Sequence, residues 1–249
     1  KYSGESLFFR LFLLMAVVLP IGAQELDSDG AEFSEFAEEF EDLAGEGGRE
    51  VFDPLRPYNR FMFGFNDKFY FWFLKPTAKG YSFIVPQPAR VSINRAFGNI
   101  GFPLRFSSLL LQLKLKKAGR ELGRFVVNST AGMGGLFDPA GRYLEWHAHE
   151  EDLGQALGHW GVGPGFPVVV PFLGSSNIRD GLGRIGAIFI NPVTYLASTE
   201  ISFAVAAGEN FNYASLHLGE YEEIKRDALD PYTFIRDAYD QNRRKLVKE

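Results

Sequence analysis

Residues 59–75, NRFMFGFNDKFYFWFLK, place eight aromatic rings in seventeen positions, and their reading decides the fold. Leu55, Tyr58, Met62, Phe65, Phe69 and Trp72 recur at three- and four-residue spacing, which predicts a helix with one continuous apolar stripe. Asp53-Pro54 predicts its start, an acidic cap followed by a residue that suits the first helical turn. Phe61, Phe63, Tyr70, Phe71 and Phe73 fall off the stripe, so the helix is apolar on nearly every side. Such a helix is buried in a large core or lies in lipid. Gly64, Asn66, Asp67 and Lys68 interrupt it and predict a bend or a face turned inward.

The surrounding chain shares this bias. Aromatic residues make up 15% of 249 residues, with 25 Phe, while charged residues stand at an ordinary 23%. Ahead of the helix, LFLLMAVVLP is too short to span a bilayer and reads as the apolar region of a secretory signal over residues 1–23. There is no cysteine, hence no disulfide, cysteine-bound metal or lipobox, and the expectation is an exported protein without a lipid anchor. Residues 24–50 hold eleven acidic side chains against Arg49 alone, whereas residues 51–249 hold 23 Lys/Arg and 19 Asp/Glu. Phe33, Phe36, Phe40 and Leu43 make that acidic stretch an amphipathic arm, with a glycine linker, over residues 24–52. No dense basic patch points to nucleic acid.

Beyond residue 75, Pro76, Pro86 and Pro88 predict a division into short helices, one over residues 85–100 and the next opening at Pro103 and running into Lys114, Lys116 and Lys117. Ala118, Leu122, Phe125 and Val126 predict another helix, stopped by AGMGGLFDPAG. A brief extended segment is expected at PVVVPF, a glycine-loosened helix at SSNIRDGLGRIGAIFI, and a last helix after the second Asp-Pro pair, Asp230-Pro231. The whole is mainly α-helical.

Chemistry-bearing clusters are sparse. HAHEED, residues 147–152, lacks zinc-motif spacing and reads as a solvated helix start. GVGPGF follows a helix and contains proline, unlike a dinucleotide loop, and reads as a hinge. Ser129 and His159 are candidates for a hydrolytic pair, but no GxSxG elbow occurs, so neither enzyme nor cofactor is expected. Excess rings, an export signal and no catalytic signature point to a protein that handles or sits in lipid.

Five blocks, DPLRPYNRFMFGFND (53–67), KPTAKGYSFIVPQPAR (75–90), ELGRFVVNSTAGMGGLFDPAG (121–141), EDLGQALGHWGVGPGFPVVVPFLGSSNIRDGLG (151–183) and DPYTFIRDAY (230–239), resemble the MlaA/VacJ family of outer-membrane proteins. The resemblance implies that residues 53–249 form a ring of short amphipathic helices in the inner leaflet of the outer membrane. A central channel with a glycine-rich hairpin loop would let mislocalised phospholipids leave the outer leaflet, to be passed to the periplasmic carrier MlaC. A trimeric porin would be a further partner. Residue by residue, Gly132, Met133, Gly134, Gly135, Leu136, Phe137 and Asp138 match the start of the channel-lining hairpin, and Gly161 and Gly163 the hinge at its end. Asn59, Gly64, Phe65 and Asn66 match a channel-gating helix, with Gly64 standing where a larger residue is frequent. Phe61, Phe63, Phe69, Tyr70, Phe71, Trp72 and Phe73 are expected to contact the membrane. A porin scaffold that moves no lipid and a lipid hydrolase remain as alternatives.

Overall fold

The computed structural model describes residues 51–196 and 198–248. Residues 1–50, which hold the expected signal segment and all but the last two residues of the expected acidic arm and linker, lie outside them. The described part is mainly helical: α1 (Arg56–Phe69), a π-helical turn (Tyr70–Leu74), α2 (Lys75–Ile84), α3 (Gln87–Ile100), α4 (Phe102–Leu111), α5 (Leu115–Thr130), α6 (Pro139–Leu144) and α7 (Leu153–His159) come first. A hairpin of β1 (Pro167–Val170) and β2 (Gly174–Asn177) follows, then α8 (Ile178–Ile188), α9 (Pro192–Leu196), α10 (Thr199–Leu216), α11 (Glu220–Asp227) and α12 (Pro231–Lys248). The strands pair antiparallel from Pro167 with Asn177 to Val170 with Gly174.

Contacts between these elements make a closed circuit. Helix α1 packs on β1, β2 on α12, α12 on α7, and α7 on both α8 and α4; α4 meets α3, α3 meets α10, and α10 meets α2, which returns through the π turn to α1. The two Asp-Pro pairs help join its ends. The Asp53 carboxylate accepts from Tyr232 and stands 3.5 Å from Arg236 on α12, while Asp230 pairs with Arg60 on α1.

Several expectations change. Asp53 does not cap α1, which starts three residues later without a side-chain cap, because its carboxylate is engaged by Asn59, Tyr232 and Arg236. Helix α1 runs unbroken through Gly64, Asn66 and Asp67, and the irregularity comes one turn later as the π turn. Its widened ladder precedes Pro76, which lacks an N–H and would crowd the carbonyl four residues back in a regular helix. The leucine-to-lysine run is two helices: α4 stops at Leu111, Leu113 takes a positive φ of 59°, and Lys114 turns to Glu151. GSSN is a strand, not a helix start; α8 begins only after Asn177, whose side chain accepts from the Asp180 amide.

Packing is inverted relative to a water-soluble domain. Among the described residues the buried set holds 22 polar or charged side chains and 11 hydrophobic ones, of which six are alanine. Helix α5 shows the inversion: Ala118, Glu121, Arg124 and Asn128 are buried, whereas Leu122 and Val126 from its apolar stripe are exposed. An apolar cluster of Leu104, Ala187 and Ile188, with Leu153 and Ile190 against it, is small beside the exposed aromatic surface.

Candidate functional site

Helix α1 meets the hairpin through two asparagines seven residues apart, and therefore on one helical face. Asn59 is fully buried; its amide donates to the Pro167 carbonyl at 3.0 Å and to Asp53 at 2.9 Å, and its oxygen accepts from Val169 N at 2.8 Å. Asn66 donates to the Val170 carbonyl at 3.0 Å and accepts from Phe172 N at 2.7 Å. Each amide thus offers β1 and its turn one donor and one acceptor, as a neighbouring strand would. Gly64 has open space where a Cβ would stand, so packing does not demand glycine there.

The rings divide by what they touch. Phe65 and Phe69 pack edge-on to Phe172 at centroid distances of 5.2 and 4.8 Å, Phe69 stacks on Phe73, and Phe63 meets Tyr232 at 5.9 Å. Tyr70 and Phe71 lie against Tyr221, with Lys225 4.8 Å above the Phe71 ring. Phe61, Trp72 and Phe73 point outward, Trp72 being 80% exposed. Asp67, which the sequence presents as an interruption, accepts from Tyr221 at 2.9 Å and Lys225 at 2.7 Å and so ties α1 to α11.

Residues 132–138 form a tight turn after α5. Met133, Gly134 and Gly135 have successive φ values of 54°, 75° and 96°, the left-handed region that favours glycine. A Cβ on Gly132 would strike the carbonyls of Asn128 and Phe137, and one on Gly135 would strike the Asn99 side chain. Asp138 caps α6 through Gly141 N and accepts from Asn128 at 2.6 Å. Met133, Leu136 and Phe137 are exposed. Between this turn and residues 161–163 lie two short helices, α6 and α7; Gly161, with φ of 87°, and Gly163 are exposed and have open space around them.

Facing inward are polar residues that sequence reading did not single out. Helix α10 buries Ser202, Ala206, Glu209, Asn212 and Ser215, a three- and four-residue spacing that ordinary core reading overlooks because it searches for apolar stripes. Asn212 donates to the Arg90 carbonyl and accepts from Tyr81, and Arg90 donates to Ser215. Burial pushes the Glu209 carboxyl up to about 8, offset in part by Arg105. Arg105 binds Glu121 at 2.6 Å; burial would raise Glu121, but His149 and Arg105 outweigh it and hold it below the ordinary glutamate range. Asp180 accepts from Asn177, Arg179, Tyr239 and Arg243, and Arg243 also grips Asp152. Burial works against the Asp180 charge, yet Arg243 holds its carboxyl below the usual range.

HAHEED is mostly structural. Asp152 caps α7 through Gln155 N, and Glu151 is buried, taking bonds from Gln112 at 2.5 Å and Lys114 at 3.1 Å. Ser129 and His159 serve different neighbours: the hydroxyl accepts from Asn99 at 2.9 Å, and the imidazole stands at the exposed end of α7 against Trp160. The geometry does not assemble them as a nucleophile and base.

A polar-lined circuit with an apolar exterior suits residence in lipid, where inward-facing polar groups find partners only in the protein. No helix among the described residues is long and apolar enough to cross a membrane. A family model described as "MlaA lipoprotein" matches residues 51–246, the whole circuit from α1 into α12. The chain is 32% identical over 194 residues to the Escherichia coli (strain K12) "Intermembrane phospholipid transport system lipoprotein MlaA", covering 76% of each chain. It is 30% identical over 203 residues to the Haemophilus influenzae protein of that name, covering 76% of this chain and 77% of that one. It is also 36% identical over 205 residues to an uncharacterized Rickettsia bellii protein, covering 81% and 79%. A solved structure described as "Structural basis for maintenance of bacterial outer membrane lipid asymmetry" superposes with a TM-score of 0.69 at 30% identity, covering 79% of this chain and 99% of that one. The chain belongs to the MlaA family.

Proposed function

We propose that this protein maintains outer-membrane lipid asymmetry by letting mislocalised phospholipids leave the outer leaflet through the ring and reach a periplasmic carrier, MlaC. In this reading the domain lies in the membrane's inner leaflet beside a trimeric porin, and lipid moves without any bond being broken. The observation that carries it is the inverted burial. Rings such as Phe61, Trp72, Phe83 and Phe189 are exposed in quantity, while Arg90, Arg105, Glu121, Asn128 and Glu209 are buried. Exposed apolar surface of this extent costs solubility in water and is stable in acyl chains. The names borne by the Escherichia coli and Haemophilus influenzae relatives agree with a phospholipid as cargo.

Residues 132–138, together with Gly161 and Gly163, would line and hinge the lipid path, and Asn59, Gly64, Phe65 and Asn66 would stand at its gate. Phe137 is half exposed on the glycine turn, so an added charge there leaves the interior intact but opposes acyl chains. In cells whose own family member is deleted, the intact chain is expected to lower outer-leaflet phospholipid. Phe137→Asp should leave it high at equal protein level. A Phe137→Asp variant that restores asymmetry in full would instead favour a porin scaffold. Loss of function on replacing Ser129 and His159 together by Ala would favour a hydrolase.

A further inference from the structure

Residues 145–151 lie across α5 as a strap between α6 and α7. Trp146 covers Gly123, where a Cβ would come within 2.6 Å of the indole, and Arg124 donates to the Trp146 carbonyl. Ala148 closes a polar cavity of about 30 Å³ that Asn94, Arg105, Glu121 and Asn128 also line. At the far end, Glu151 is held by Gln112 and Lys114. Between these fastened ends His149 stands with Nδ1 3.8 Å from Glu121 Oε2, too far for a hydrogen bond, and neither atom has another hydrogen-bond partner.

Glu121 is 1% exposed and holds Arg105 with its other oxygen, so Oε2 is a buried acceptor facing an imidazole nitrogen. The His149 side chain is 22% exposed, which lets it exchange protons with solvent. We propose that residues 145–151 are a proton-operated strap: uptake of a proton by His149 sets a positive charge and an Nδ1–H opposite Glu121 Oε2 and draws the strap onto α5 as a charge-assisted hydrogen bond, and proton loss weakens that hold. An imidazole is the side chain whose charge ordinarily changes between about pH 5 and 8.

Several charges face this pair. Arg124 from α5, Arg105 from α4 and Arg95 from α3 line the cavity and oppose a further cation, while Glu121 favours it at closer range. Glu209 on α10 acts on Arg105, Glu150 on the strap acts on Tyr213 of α10, and Glu151 is occupied by Lys114. Glu209, and His147 on the strap itself, are therefore the competing titratable groups, and removal of each is a necessary control. The strap lies between Gly132 and Gly163, so closing it would stiffen the segment assigned above to the lipid path. The inference stands without that assignment.

Amide exchange of the full chain in detergent, corrected for intrinsic rates, tests it. Strap amides are expected to exchange about tenfold more slowly near pH 5.5 than near pH 8. His149→Gln should exchange equally at both, and His147→Gln and Glu209→Gln should each keep the wild-type difference. Equal protection of the wild type at both pH values, persistence of the difference in His149→Gln, or its loss in His147→Gln or Glu209→Gln would each overturn the proposal. Because exchange reads the strap and not lipid clearance, its failure is distinct from failure of the transport reading.

Discussion

Two edges of the ring are held by opposite means. Where α7, α8 and α12 meet, Asp180 and Arg243 are buried in a net with Asp152, Arg179 and Tyr239, and the helices approach so closely that a Cβ on Gly183 would strike the Gly154 backbone. Where α1 runs into the π turn, phenyl rings dominate and several face outward. Among acyl chains, apolar contact scarcely distinguishes inside from outside, whereas a polar group finds partners only inside. In the proposed reading the charged edge therefore supplies cohesion, and the aromatic edge membrane affinity.

The largest effect that would break this comparison lies at Asp180. Asp180→Ala leaves Arg243 and Arg179 with an unmatched buried charge and should destabilise the domain by about 3–5 kcal/mol, read from unfolding in detergent. The sign with pH follows from its lowered carboxyl. Its stabilisation is present above the unfolded-state aspartate range and is lost as pH falls through the still lower folded value. Asp180→Ala should accordingly flatten the acid limb of the stability curve. A variant as stable as wild type at neutral pH would move the source of cohesion elsewhere.

A middle effect is expected at Asn59, a polar clamp inside the aromatic edge. Asn59→Ala strips partners from the Pro167 carbonyl and the Val169 amide and should cost about 1–3 kcal/mol. Exchange of the Val169 amide, measured by NMR, should rise with it. Unchanged exchange would mean that β1 is held by β2 alone and that the two edges differ more sharply than described.

Much of this was legible in residue spacing. The stripe from Leu55 to Trp72 predicts α1, Pro88 and Pro103 open α3 and α4, and PVVVPF foretells β1. The family blocks supply the ring, since local pattern cannot say which helices meet. The hairpin's second strand was hidden because Gly174, Ser175 and Ser176 have no strand bias and owe their conformation to pairing with β1. The interior was hidden for a different reason. Spacing locates an apolar face but not whether that face meets protein or lipid, and on α5 Glu121, Arg124 and Asn128 are buried while Leu122 and Val126 of the stripe are exposed. Asn66 and Asp67 likewise read as a break because their partners, Val170, Phe172, Tyr221 and Lys225, lie more than a hundred residues away.

The smallest effect on stability, and the one that isolates the aromatic edge, is expected at Trp72. Its indole is 80% exposed, so Trp72→Ala removes almost no internal contact and should shift unfolding by no more than about 0.5 kcal/mol. Removing a ring of this size from acyl chains should weaken partition into phospholipid vesicles by about 1.5–3 kcal/mol, tenfold or more. Asp180→Ala should do the reverse at pH 7 and low temperature, where enough of it stays folded to bind vesicles with near wild-type affinity. If Trp72→Ala lost stability and kept its affinity, the ring would pack against protein in the membrane. The edge that includes Trp72 would then be an interface with a partner instead of a surface for lipid.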